Sequence, residues 1–167
     1  MDAATRKAKL EEIKTNQLNQ AMTGIPLRYK GTTRTEIVWR IPLDYLIYNK
    51  YNGRIGSDVL SYEKQNGELN AELDSDREII ETFLYESKVD RNKTTMESLL
   101  KIGQQRYGIV TSDGIIVDGN RRAMLLNRLF HKHEEYGYSY AEVEKSQYFL
   151  AIILPDDAEE KDIQQLE

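Results

Sequence analysis

The chain contains no cysteine. That excludes disulfides, thiolate zinc sites and cysteine nucleophiles together. No apolar run approaches the length needed to cross a bilayer. The N-terminal stretch "MDAATRKAKLEEIKTNQLNQ" is charged and lacks an apolar h-region, so it does not read as a secretory signal. A cytoplasmic setting is the expectation. There is no internal repeat, no low-complexity tract, no Walker loop, no His-Glu-x-x-His and no Gly-x-Gly-x-x-Gly. Only two histidines are present, His131 and His133. They lie two apart, so on a helix they do not face a common ion, and a solvated helix end is the expected role.

The 167 residues suffice for one domain with a real core. Net charge is −5, from 23 basic and 28 acidic residues, but it is unevenly spread. Residues 56–90 carry −7 and residues 156–167 carry −5, which leaves +7 for the remainder. Between Gly119 and His133 there is no acid, while Arg121, Arg122, Arg128 and Lys132 are present. The acidic total argues against a general nucleic-acid coat. It leaves room for one local anion site.

Hydrophobic periodicity and turn residues give a coarse order of elements. Residues 1–22 read as a helix or lead-in. "TEIVWRIPL", 35–43, reads as a strand. A turn of helix and a loop with Asn52-Gly53 follow. Residues 56–74 read as a polar loop or insertion. A helix is expected over roughly 76–87, capped by Ser75. A second is expected after a Thr94/Glu97 capping box, ending near Gly103. "RYGIVT" and "IIVD" read as short strands around a tight turn. A helix from 119 to about 133 comes next, then a buried strand over 146–155. A last helix begins in 156–167 and is expected to continue past the sequence given, for it carries no C-cap signal. Alternating helices and strands predict an α+β (mixed α/β) domain with a small mixed sheet.

The stretch "DGIIVDGNRRAMLLNRLF", 113–130, carries the chemistry. On a helical wheel Ala123, Leu125, Leu126, Leu129 and Phe130 share one face, and Asn127, Arg128, His131 and Lys132 the other. Arg121 and Arg122 fall in the first turn. Free N–H groups and the helix dipole make that end positive, so acids are the usual residues there. Each arginine is unfavourable there by a few tenths of a kcal/mol, up to about 1. A bound anion would resolve the conflict, because arginine forks grip phosphate oxygens bidentately and Gly119 allows close backbone approach. The alternative is that both arginines pair with the acids of 56–90 or of the C-terminus.

"VDGNRRAMLL" resembles the Gly-x-Arg-Arg box of the ParB/sulfiredoxin-like superfamily. "IPLDYLIYNKYNGRI" is similar to that family's first box, with Asn52-Gly53-Arg54. "ESLLKIGQQRYGIVTSDGIIVDG" is similar to the helix, Gly, Gln, strand and strand that lead into the arginine box. The resemblance covers about residues 36–153. It implies a ParB/sulfiredoxin-like domain over 25–155, with 56–90 as a helical, acidic insertion, 1–24 as a lead-in and 156–167 as a truncated C-terminal helix. It implies a bound nucleoside triphosphate, ATP or CTP, with Mg²⁺. By match, Gly119, Asn120, Arg121 and Arg122 hold the phosphates, Gln104 or Gln105 lies near phosphate or metal, and Arg54 with Asn52 lies near base or phosphates. It implies further a DNA-associated protein, with DNA contacted through a region beyond residue 167, and a possible homodimer. Asn120 stands where sulfiredoxins carry the catalytic Cys, so that activity is excluded. ParB proteins usually carry Glu there, and Pro where Arg106 stands.

Two rivals remain. An enzyme on this fold, a nuclease, ATPase or phosphotransferase, would need a carboxylate for metal or base work. Asp118 is the first candidate and Asp113 the second, although an Asp before Gly is also ordinary turn chemistry. An interaction domain would instead keep the arginines in salt bridges and present the acidic segment. Tyr136, Tyr138 and Tyr140 could stack bases, or pack as loop rings on the core.

Overall fold

A computed structural model describes all residues, 1–167. The chain is a mixed α+β fold of seven helices and one five-stranded sheet. The strands are β1 (Gln20–Tyr29), β2 (Thr32–Pro42), β3 (Gly108–Val110), β4 (Ile116–Asp118) and β5 (Tyr148–Ile153). Their order is β1-β2-β5-β3-β4. All neighbours are antiparallel except the parallel pair β3 and β5. The helices are α1 (Ala3–Lys14), α2 (Gly56–Asn66), α3 (Asp74–Glu86), α4 (Val89–Lys101), α5 (Asn120–His131), α6 (Tyr140–Val143) and α7 (Glu160–Leu166). No helix is long and apolar enough to cross a membrane.

Side chains alternate across the sheet with the strand period of two. Trp39, Ile41, Phe149, Ala151, Ile153, Val110 and Ile116 face the helices and join a core of 25 buried residues. Val38, Ile152, Ile109 and Val117 face the other way into a cluster of seven, which Ile163 and Leu166 of α7 help to cover. β5 is central and its residues are buried on both faces, which is why its sequence is a continuous apolar run.

Four local expectations are corrected. The lead-in helix stops at Lys14, and β1 begins at Gln20 to form a hairpin with β2. Its two-residue turn is Lys30-Gly31, both at positive φ (50° and 80°), a Lys-Gly variant of the usual Asn-Gly signal. Residues 56–66 are helical, because Val59 and Ile55 anchor α2 in the core despite a polar exterior. Ser75 is not the cap of α3: the helix starts at Asp74, and Asp76 instead accepts the Asn70 N–H (2.8 Å). Thr94 and Glu97 form no capping box, for α4 begins earlier, at Val89, and places both within its length. Leu69, Ala71, Ile80 and Leu84 belong to the main core, so 56–90 supplies packing and not only an acidic surface.

α5 runs beneath the sheet, and Ala123, Leu125, Leu126 and Leu129 are buried as the wheel requires. Met124 is buried too, because α3 and α4 cover a second side of this helix. Asn127 there donates to the Tyr48 hydroxyl (2.8 Å), and the Arg128 guanidinium lies 4.0 Å from the Tyr85 ring centre. Tyr136 and Tyr138 pack partly buried against the core, whereas Tyr140 is exposed.

Glu81 of α3 borders this seam. Burial pushes its carboxyl up from the ordinary value, against the opposing pull of Arg77 and Arg128. A raised carboxyl binds its proton more tightly in the folded chain, so folding is penalised once pH climbs through that raised value. Glu81→Gln is therefore expected to melt above the wild type at pH 7. The gain should fade as pH falls to 4.5 and below, where the unfolded chain too takes up the proton. Melting curves of the pair between pH 4 and 8 check this; a constant difference would contradict it.

Candidate functional site: a cationic cleft at the start of α5

β4 ends at Asp118, Gly119 turns the chain with φ +110°, and α5 begins at Asn120. No side chain caps the helix and no acid sits in its first turn. An ideal Cβ on Gly119 would lie 2.6 Å from the Phe149 ring. The position therefore needs glycine twice, for the backbone angle and for the space.

A cleft of about 430 Å³ opens at this point. Arg121, Arg122, Gly119, Asn120 and Asp118 line it from the β4–α5 junction, with Asn52, Gly53, Arg54 and Ile55 from the turn before α2. Ser87 and Lys88 come from the junction of α3 and α4, Thr95 from the middle of α4, and Arg106 from the approach to β3. Thus five cationic side chains and one carboxylate share the cleft. α4 also starts without a side-chain cap.

The two arginines are held differently. Arg122 meets Asp118 at 3.5 Å and donates to the Arg106 carbonyl (3.0 Å). Burial holds its guanidinium below the ordinary value; Asp118 opposes this and Arg106 reinforces it. Arg121 meets no carboxylate. It donates to the Asn92 side-chain oxygen (2.7 Å), and its Nε is buried without a partner. Burial again lowers its value, and Arg54 and Arg91 push the same way, while Asp90 opposes them. Neither arginine forms an ion pair with an acid of 56–90 or of the C-terminus, and Asp90 acts on Arg121 only through its field. An unpaired cation packed among other cations is electrostatically costly, and an anion in the cleft would relieve it.

The other expected residues fall into two groups. Arg54 lies in the cleft, exposed and without a hydrogen bond or ion pair. Asn52 and Asn120 line it, but their amides are engaged elsewhere. Asn52 donates to the Val117 carbonyl. Asn120 accepts from the Asn49 N–H (3.2 Å) and donates to the Asn49 carbonyl (2.8 Å), which ties α5 to the preceding loop. Gln104 and Gln105 do not line the cleft. Gln104 clasps β5 instead, accepting from the Leu150 N–H (2.8 Å) and donating to the Leu150 carbonyl (2.9 Å). Asp113 sits in the β3–β4 turn, bonded to the Thr111 hydroxyl (2.5 Å), while its carbonyl accepts from Arg6 (2.7 Å). His133 shares its Nδ1 with the Tyr138 carbonyl (2.7 Å), and no group of three His, Asp or Glu side chains gathers around a metal position. Ser87, Lys88 and Thr95 are cleft residues that the sequence did not single out; Arg106, within "GQQRYG", stood out only as a departure from the resembled family, though a cation just before a strand was a usable signal.

Comparison with protein-family models, curated proteins and solved structures gives no match to this chain.

Proposed function

We propose that this chain is a nucleoside-triphosphate-binding domain, ParB-like in its arginine box, whose cleft at the start of α5 holds the phosphates. One observation carries the proposal: Arg54, Lys88, Arg106, Arg121 and Arg122 converge on an uncapped helix start with Asp118 as their one carboxylate. Backbone N–H groups, the helix dipole and guanidinium forks act on the same ligand oxygens in such a place.

Mg²⁺ fits the donor set as a passenger of the ligand. Asp118 would supply the protein's carboxylate, and phosphates and water the remaining oxygens, which is the usual way this ion binds at nucleotide sites. The ion's charge would help neutralise the phosphate chain. Asp118 is partly exposed and engages Arg122 through one oxygen. ATP and CTP are the ligands the resemblance favours, and membership of a DNA-associated protein is part of the same proposal. No reaction step is assigned to the cleft.

Titration calorimetry of ATP, CTP and GTP with Mg²⁺ against the full chain tests the proposal. Binding with a Kd in the micromolar range, weakening as salt is raised, is the expected result. Absence of heat with all three nucleotides at millimolar concentration would reject it.

A further inference from the structure

The cleft is rich in groups for phosphate and poor in groups for a base. One nucleobase is told from another by amides and backbone groups that read its edge, whereas stacking, on an aromatic ring or on a guanidinium plane, tolerates any base. No aromatic side chain lines this cleft. Its apolar members, Ile55 and Leu84, are themselves buried, at 2% and 4% exposure, and offer almost no face. Both side-chain amides, Asn52 and Asn120, already donate to backbone carbonyls. Tyr51, the aromatic next to Asn52 in sequence, lines a neighbouring hollow, with its hydroxyl on Glu63 (2.8 Å) and Lys50 over its ring.

The cations, by contrast, form two groups. Arg121 reaches to α4, where it donates to the Asn92 side-chain oxygen (2.7 Å), while Arg122 turns to Asp118 (3.5 Å) and the Arg106 carbonyl (3.0 Å). Consecutive residues of a helix point about 100° apart, so one small anion does not satisfy both groups, and an extended chain of phosphates does.

Resting on the reading above, we propose that the cleft selects a linear polyphosphate chain and is indifferent to the base attached to it. Its ligand chemistry is a triphosphate, whether carried by a nucleotide or free.

The test compares inorganic tripolyphosphate, orthophosphate, ATP, CTP and GTP, each with Mg²⁺, by calorimetry on the full chain. The expected result is that tripolyphosphate and all three nucleotides bind within about threefold of one another, and orthophosphate at least about tenfold more weakly. One nucleotide binding tenfold or more above tripolyphosphate would show that a base is read; it would overturn this inference and leave the nucleotide site standing. Orthophosphate matching tripolyphosphate would overturn the extended-chain argument. Failure of every phosphate compound to bind would sink the nucleotide site itself, and this inference with it.

Discussion

Gly119→Ala is expected to lower the melting temperature by roughly 5–20 °C, which corresponds to about 2–6 kcal/mol for a chain of this size. Two effects add. Alanine at φ +110° is held in a sparsely populated backbone region, worth about 1–3 kcal/mol. Its Cβ would also meet the Phe149 ring at 2.6 Å. Phe149 is fully buried on the central strand β5 and has no room to yield, so overpacking adds about 1–3 kcal/mol. The same Cβ would stand 3.2 Å from the Arg122 guanidinium and disturb the cleft. Gly137→Ala is the control. That residue also has positive φ, +77°, but nothing lies within 4 Å of its Cβ position, so it bears the backbone cost alone. Thermal denaturation followed by circular dichroism compares the two. Equal losses would show that the Phe149 contact contributes nothing.

Arg121→Ala is expected to weaken triphosphate binding by about 10–150-fold, the equivalent of one charge-assisted contact of about 1.5–3 kcal/mol. Arg121 is the cation with the most to gain from a ligand, for it has a partnerless buried Nε and cationic neighbours. The variant also orphans the side-chain oxygen of Asn92, a residue 1% exposed, so some loss of stability accompanies the loss of binding. Arg54→Ala separates the two effects. Arg54 is exposed, so its removal should leave the melting temperature unchanged or slightly raised, by easing its repulsion of Arg121. Binding should fall by about 2–5-fold, as suits an exposed charge. Calorimetry and melting curves on both variants check this. Undiminished affinity in Arg121→Ala would remove the arginine from the site.

The contrast between Arg121 and Arg122 also bears on how the cleft works. Arg122 is braced by Asp118 and the Arg106 carbonyl, so it is positioned before any ligand arrives. Pre-ordered donors lose less side-chain freedom on binding. Arg54 is free and would be ordered by the ligand.

The sequence by itself determined the local features. The apolar repeat of α5, the Gly119 turn ahead of it, the arginines in its first turn and the strand β5 all follow from residue spacing, since helix and strand periods are properties of neighbouring residues. Tertiary structure decided who partners whom. Arg54, Lys88 and Arg106 reach the cleft from three other segments. Asn120, placed in the phosphate box by resemblance, turns its amide to Asn49, 71 residues away, and Gln104 spends its amide on Leu150, 46 residues away. Buried amides must find hydrogen-bond partners, and which backbone group comes within reach depends on how the whole chain packs. The same reason hid β1: its exposed, bulged edge lacks a clean alternation and gains its hydrogen bonds only by pairing with β2. A helix start can be read from twenty residues. The charge around it is decided by segments that only folding brings together.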